Sequence, residues 1–328
     1  MCQPDKLAMR APSRRDVPFH RWFLGLCVAS IFSLVYIVTP PYIISALAAL
    51  AFQYPSTKAS VIYACPLIFS VLTKATAAPR FAWLLSPMLD YFDYEEAFEI
   101  GNDEFRKDAK IGKRYMVVFQ PHGVISFVGL CAWVSSPDDF RQIKTAVASA
   151  VLKTPILKNV MGIFGLTDAS ASNIKRHLKN KGVEGSIVIY VGGIAELFKS
   201  SRKEERLYLS KRKGFIKIAL REGVDIVPGY KFGNTSVLTV LKSGPLASLS
   251  RKLQVSLTYF WGKYYLPIPR DEKLLYVRGR PLGLPHILDP SVEDINKYHA
   301  IYCEEVTRLF NKYKEKVPMY KHKELHID

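Results

Sequence analysis

Apolar and polar positions divide this chain near residue 90. From Trp22 to Thr57 there is no charged residue in 36 positions, and Pro40-Pro41 interrupts the run. Its limbs, Trp22–Thr39 and Tyr42–Thr57, hold 18 and 16 residues. As helices they would be about 27 and 24 Å long at ~1.5 Å per residue, short against a hydrocarbon core of ~30 Å. The pattern therefore predicts a hairpin that enters the bilayer and returns, with its turn at the prolines and its backbone polar groups satisfied within two helices. Arg10, Arg14, Arg15 and Arg21 precede it, and Lys58, Lys74 and Arg80 follow, which puts both ends on the cytosolic side. A cleaved signal peptide ending in Ala46–Ala51 is the competing reading, disfavoured by the length of the run. Two further apolar stretches, Ala59–Thr73 and Phe81–Leu89, predict buried or interfacial helices. The expected organisation is a basic segment over 1–21, a membrane hairpin over 22–57, an interfacial segment over 58–90 and a globular domain over 91–328.

Within that domain the pattern becomes short β-branched runs alternating with amphipathic stretches. Tyr115–Gln120 (YMVVFQ), Ser186–Val191 (SIVIYV), Val224–Val227 and Leu274–Val277 predict strands. Asp168 is placed to cap a helix through Asn180, and Lys213–Arg221 forms another that stops at Gly223. Ser291–Lys316 is a long amphipathic helix, with Val292, Ile295, Tyr298, Tyr302, Val306, Leu309 and Phe310 at helical spacing. Alternation of this kind gives an α/β layered fold with a central sheet.

Charge changes the picture next. Lys and Arg number 46 against 29 Asp and Glu, a formal +17, which draws the chain to something anionic: nucleic acid, a lipid surface or a phosphorylated ligand. No helix-turn-helix, zinc-finger or aromatic-studded sheet signature is present, so nucleic acid is not expected as a partner. The five cysteines, at 2, 27, 65, 131 and 303, lack metal-ligand or redox spacing, so neither a metal nor a disulfide framework is expected.

Three places carry candidate chemistry. His122 follows a predicted strand end in Gln120-Pro121-His122-Gly123. There a neutral imidazole could take a proton from an alcohol, although a loop histidine beside Pro and Gly can also arise without function. Gly192-Gly193-Ile194-Ala195-Glu196 follows the strongest strand. Its glycines could turn backbone N–H groups to an oxyanion or phosphate, and Glu196 could orient an imidazole; a plain strand-to-helix turn reads equally well. Finally, Lys199 to Arg221 holds nine basic and two acidic residues. Arg212-Lys213-Gly214-Phe215 opens a helix there, suited to phosphate, to anionic lipid or simply to solvent.

The three motifs occur in a fixed order, the last followed by Val227-Pro228-Gly229-Tyr230-Lys231-Phe232-Gly233. In that order the chain resembles the type 2 diacylglycerol acyltransferase family, which includes monoacylglycerol and wax-alcohol acyltransferases, over about residues 75 to 315. The family's His-Pro-His-Gly or Glu-Pro-His-Gly block begins here with Gln120. Its Tyr-Phe-Pro block is matched as Tyr91-Phe92-Asp93, and its Phe-Leu-x-Leu pattern by Phe23-Leu24-Gly25-Leu26. Related glycerolipid phosphate acyltransferases place an Asp five residues after the histidine; here that position is Phe127.

The resemblance implies an acyltransferase-like layered domain with a central mixed sheet behind a membrane anchor. It implies acyl-CoA as co-substrate with no further cofactor, diacylglycerol as acceptor, and membrane lipid as surroundings, with the catalytic domain on the cytosolic side of the endoplasmic reticulum and the lipid-droplet surface as a second location. It leaves homo-oligomer formation open. In the mechanism it implies, His122 acts as general base and Glu196 orients it. Pro121, Gly123, Gly192 and Gly193 frame the reacting carbonyl beside Gln120, and Arg212, Lys213, Gly214 and Phe215 bind acyl-CoA. Monoacylglycerol or a long-chain alcohol is the alternative acceptor, and a hairpin-anchored lipid-droplet coat the non-enzymatic alternative.

Overall fold

A computed structural model describes residues 17–199, 201–244 and 259–328. Arg10, Arg14 and Arg15 lie outside them, as does most of the expected 1–21 segment. Five parallel strands form the body of a seven-stranded sheet: β2 (Tyr115–Gln120), β3 (Lys144–Val147), β4 (Leu166–Asp168), β5 (Ile187–Tyr190) and β7 (Asp225–Phe232). The order is β1-β10-β7-β2-β5-β3-β4. β10 (Leu275–Arg278) pairs antiparallel with β7, and β1 (Glu95–Phe98) pairs parallel with β10. The sheet is therefore mixed, as expected. β6 (Glu205–Leu207) lies outside it and pairs with the C-terminal strand Leu325–Ile327, and β8 (Thr239–Val240) pairs antiparallel with β9 (Phe260–Trp261).

One face is covered by helices that the sequence periodicity places well. α6 (Gly214–Glu222) and α7 (Val292–Tyr313) bury Phe215, Ile216, Ala219, Tyr302, Val306, Leu309 and Phe310 against Met116, Val118 and Ile226 of the central strands. Ser291 and Asp294 form a capping box that starts α7, and Val292, in its exposed first turn, stays 68% accessible. The helix expected from Asp168 starts later. α4 spans Ala171–His177 because Asp168 ends β4 and accepts from the Ser170 N–H at 2.8 Å.

The N-terminal expectation is corrected in one respect. α1 (Phe19–Phe52) is a single helix of 34 residues running through Pro40 and Pro41, and the chain turns at residues 53–56 before α2 (Thr57–Leu72). Each proline removes one i→i−4 bond, but such a loss is tolerated in an apolar helix whose other backbone groups are internally bonded. α2 folds back on α1 through Ala46, Ala64 and Leu67, with the Tyr42 hydroxyl donating to the Tyr63 carbonyl at 2.7 Å. By length and composition α1 could cross a membrane.

The N-terminal half of α1 is seated on the domain. Gly25 packs so closely on the short helix Pro87–Tyr91 that a Cβ there would fall 2.2 Å from the Pro87 carbonyl oxygen. Phe32 meets Phe164, Trp22 meets Tyr91, and Arg21 pairs with Asp90 at 2.8 Å. The opposite face, with Phe23, Leu24, Ile31, Leu34 and Val38, is exposed.

Candidate active site

The register of the sheet brings the first two motifs together. Phe119 of β2 stands opposite Tyr190 of β5, and Gln120 opposite Tyr230 of β7. The chain therefore leaves β2 at His122 and β5 at Gly192 side by side, at the carboxyl ends of parallel strands, where open sheets of this kind place ligands. Gln120-Pro121 is a cis peptide bond.

Glu196 lies on α5 (Gly193–Lys199) and is fully buried. Gly192 makes room for it, since a Cβ at that position would fall 2.2 Å from the carboxylate. Its Oε1 accepts from the main-chain N–H of His122, and its Oε2 from the N–H of Tyr208 at 3.4 Å. The expected carboxylate-to-imidazole contact is thus replaced by a carboxylate-to-backbone contact: Glu196 holds the His122 loop rather than the ring. The imidazole Nδ1 instead lies 2.7 Å from the Gly123 carbonyl, and the ring stands edge-on to Tyr190 with centroids 5.7 Å apart. Asn234, just after β7, closes the loop by donating to the His122 carbonyl at 2.7 Å and accepting from the Val128 N–H. Gly123, at φ +67°, lies against that amide, leaving no space for a side chain.

Burial is the main influence on both titrating groups. It pushes the imidazole down to about 4, helped by the nearby charge of Lys231 and opposed by the Gly123 carbonyl. It pushes Glu196 up to about 7, opposed by the His122 N–H and by Lys231. At neutral pH the ring is uncharged and able to accept a proton.

Phe127, five residues after His122, is fully buried against Phe92 with centroids 5.1 Å apart. A carboxylate there would have no polar surroundings, and the carboxylate nearest the loop comes from α5 instead.

Two spaces meet at Tyr190. On one face of the sheet a cavity of about 1480 Å³ is walled along the strands by Val117, Phe119, Val188 and Tyr276, by Trp133 and Phe140, and elsewhere by charged residues such as Glu99, Arg278 and Lys312, and it extends to Leu89, Asp90 and Arg21 at the foot of α1. On the other lies a cleft of about 320 Å³ lined by Val191, Lys211, Arg212, Lys213, Gly214 and Phe215. Tyr190 borders both.

The remaining expected residues sort by position. Arg212 lies over the Tyr208 ring and close to Gly193, with a Cβ there 3.8 Å from the guanidinium. Lys213 donates to Asn296 at 2.6 Å. Phe215 is mainly a core residue, packed on Tyr302 at 4.9 Å. Gln120 is sealed in the core, where it accepts from the Tyr302 hydroxyl at 2.6 Å, so it braces the loop from behind. Much of the remaining basic stretch is engaged elsewhere: Lys199 and Arg206 pair with Asp328, and Arg202 with Glu272. Among the described residues no cluster of His, Cys, Asp or Glu could hold a metal ion.

Sequence reasoning missed Tyr190, Ser126, Asn234 and Lys231. For Lys231, whose Nζ donates to Ser126 Oγ at 2.8 Å and lies 3.8 Å from the Tyr190 ring centroid, a signal existed: a lone lysine in a strand otherwise without charge from Ile226 to Phe232.

Residues 50–328 match the family described as diacylglycerol acyltransferase. This chain belongs to the diacylglycerol acyltransferase family. It is 30% identical over 221 residues to diacylglycerol O-acyltransferase 2 of Dictyostelium discoideum, covering 62% of this chain and 66% of that one. It is 29% identical to 2-acylglycerol O-acyltransferase 3 of Homo sapiens, over 62% and 65% of the two chains, and 27% identical to acyl-CoA wax alcohol acyltransferase 2 of Mus musculus, over 67% and 72%. The first of these relatives are thus matched over a little under two thirds of their length. A solved 1-acyl-sn-glycerophosphate acyltransferase of Thermotoga maritima aligns with a TM-score of 0.41 at 14% identity, over 90% of this chain and 97% of that one. Family membership and the juxtaposition of His122, Glu196 and Tyr190 together define the candidate active site of this diacylglycerol acyltransferase family member.

Proposed function

We propose that the protein is a membrane-associated, acyl-CoA-dependent O-acyltransferase that esterifies the free hydroxyl of diacylglycerol, with His122 as general base. The observation that carries this reading is the meeting at Tyr190 of a basic cleft and a cavity whose wall along the sheet is apolar, with the His122 ring standing against Tyr190. An acyl thioester of coenzyme A has that division of character, with a long apolar chain at one end and phosphates at the other.

In this reading Lys211, Arg212 and Lys213 hold the phosphates through charge-assisted hydrogen bonds, and the chain lies in the cavity. The neutral imidazole takes the acceptor's hydroxyl proton as its oxygen attacks the thioester carbonyl. The tetrahedral oxyanion then collapses, expelling the coenzyme thiolate, which recovers the proton from the imidazolium. Backbone N–H groups near Gly123 or Gly193 stabilise the oxyanion. The acceptor comes from the bilayer past the foot of α1, where the cavity reaches Arg21 and Asp90. The domain faces the cytosol from the endoplasmic reticulum membrane.

The test is expression in a cell that lacks neutral-lipid synthesis, followed by lipid analysis and competition among diacylglycerol, monoacylglycerol and long-chain alcohols. Triacylglycerol as main product is the expected result. Predominant diacylglycerol or wax ester would reassign the acceptor, and no ester at all would remove the enzymatic reading. A second measurement addresses the cleft: Arg212→Ala with Lys213→Ala should raise the KM for acyl-CoA roughly tenfold or more, as expected for losing a charged hydrogen bond worth ~1.5–3 kcal/mol. An unchanged KM with weaker membrane binding would assign these residues to the lipid surface.

A further inference from the structure

Glu205 is a buried acid that the mechanism above does not use. It opens β6, is 1% exposed, and meets groups from β7, from the turn after β7 and from the stretch before the C-terminal strand. Its Oε1 accepts from the Thr235 hydroxyl at 2.8 Å and from the Lys323 ammonium at 3.3 Å. Its Oε2 accepts from the Tyr230 hydroxyl at 3.1 Å. Tyr320 completes the knot. Its hydroxyl accepts from the Gly233 N–H at 3.0 Å and lies 3.3 Å from the Thr235 hydroxyl, and the Lys323 ammonium stands over its ring at 4.2 Å from the centroid. All five side chains are buried. A buried ion pair of this kind contributes little to stability once its desolvation is counted; what it fixes is geometry.

The geometry it fixes is that of the His122 loop. Gly233 and Thr235 are the two neighbours of Asn234, and the knot takes hold of both. Gly233, at φ +84°, turns the chain away from the end of β7, and a Cβ there would fall 2.3 Å from the Lys273 carbonyl oxygen. Asn234 is 1% exposed, and its amide joins two elements. It donates to the His122 carbonyl at 2.7 Å, and it accepts at 3.2 Å from the N–H of Val128, in the first turn of α3 (Phe127–Ser135). A side chain that meets two backbone groups at once needs its own backbone held still, and the Gly233 N–H and the Thr235 hydroxyl hold it on either side. The route from the buried acid to the imidazole runs Glu205, Thr235, Asn234, His122, and every link is a hydrogen bond or a peptide bond.

We propose that Thr235 is a positioning residue for the candidate site: its hydroxyl, held by the buried Glu205, sets the backbone from which Asn234 holds the His122 loop. This deepens the function proposed above and rests on it for the reaction, but not for the mechanical link. The hydroxyl is the part that matters. Valine has nearly the shape of threonine but no hydroxyl to give the carboxylate; serine keeps the hydroxyl and lacks one methyl. A residue that only packs would tolerate valine and suffer from serine, whereas one that holds Asn234 does the reverse. The effect must also pass through the Asn234 amide. Once that amide is gone, a change at Thr235 has nothing left to displace, so the two substitutions are not additive.

The experiment compares full-length wild type with Thr235→Val, Thr235→Ser, Asn234→Ala and the combined Thr235→Val, Asn234→Ala variant in membranes. Turnover is measured over a range of acyl-CoA concentrations, using whichever acceptor the wild type accepts. The rate of His122 carbethoxylation by diethylpyrocarbonate is read as the difference from His122→Gln. Thr235→Val should lower kcat roughly fivefold or more, the loss expected for one hydrogen bond to a charged group, and leave the KM for acyl-CoA within about twofold. It should also raise the carbethoxylation rate, because a loosened loop exposes the ring. Thr235→Ser, the conservative variant, should restore all three values to within about twofold of wild type, and in the Asn234→Ala background Thr235→Val should change kcat and carbethoxylation by less than about twofold. Unchanged kcat and carbethoxylation in Thr235→Val would overturn the proposal. So would losses of equal size in both backgrounds, or a Thr235→Ser variant as impaired as Thr235→Val, since either marks a residue that only packs. Should Thr235→Val fail to accumulate, Thr235→Ala takes the same measurements; should Asn234→Ala fail, Asn234→Ser, too short to span both backbone groups, replaces it. If the wild type transfers no acyl group, the functional reading fails, and the carbethoxylation rates still decide the role of Thr235.

Discussion

His122→Ala should lower the rate of ester formation by ~10²–10⁴, the contribution of a positioned base, while membrane association and folding stay intact. The fold should survive because the bonds holding this loop belong to the backbone. The His122 N–H to Glu196 and the Asn234 amide to the His122 carbonyl are both available to alanine, and the ring itself contributes one contact with Tyr190 and one with the adjacent carbonyl. Microsomal turnover with saturating acyl-CoA and diacylglycerol is the measurement, with membrane flotation as the control. Near-normal turnover would exclude the imidazole as base. A pH consequence accompanies the substitution. The native ring titrates near 4, below its ordinary value, so the unfolded chain binds the extra proton first. His122 therefore costs stability as pH falls from about 6.5 toward 4, and alanine removes that cost.

The second large effect belongs to Glu196→Gln. The amide keeps the shape and its one oxygen can still accept from the His122 N–H, but the Tyr208 N–H loses its acceptor and the charge is gone. Hydrogen bonds to charged groups are worth ~1.5–3 kcal/mol, so kcat should fall roughly 10- to 100-fold if the loop needs the anion. Stability should move the other way. Burial raises the native carboxyl to about 7, above its unfolded value, so the native state binds more protons between about 4.5 and 7. Its contribution is best below that window and is lost as pH rises through it. Glu196→Gln should therefore be more stable than wild type at pH 8, by up to about 3 kcal/mol, with little difference at pH 4. Thermal inactivation midpoints in detergent at the two pH values check this. Reduced activity together with increased resistance to heat at pH 8 would separate a functional carboxylate from a structural one.

The strands that sequence alone locates are those with apolar residues on both faces. YMVVFQ and SIVIYV read as strands because a central parallel strand is apolar on both sides. The edge strand Glu95–Phe98, and Lys144–Val147 one place in from the other edge, are mostly half-buried and polar in part, and they carry no such pattern. The turn expected at Pro40-Pro41 was misplaced because the rule that proline ends a helix is calibrated on helices in water. At the site, His122 and Glu196 could be singled out because glycines mark the strand ends that carry them. Their geometry could not be read, since it depends on a register between β2 and β5 that only folding sets. Lys231 escaped notice for a related reason: strand alternation indicates that it faces away from Tyr230, but not that Ser126 and Tyr190 wait there.

The seating of α1 has a mechanical consequence. Because Gly25 lets the helix backbone rest directly on Pro87–Tyr91, the apolar rod and the catalytic body share a joint without slack. In the membrane-bound reading, the tilt and height of the His122 loop above the lipid then follow from how α1 sits on Pro87–Tyr91 and on Phe164. A bulkier residue at that joint would tip the whole body, and under the proposed function it would change how far an acceptor must climb out of the bilayer without altering any residue of the candidate site.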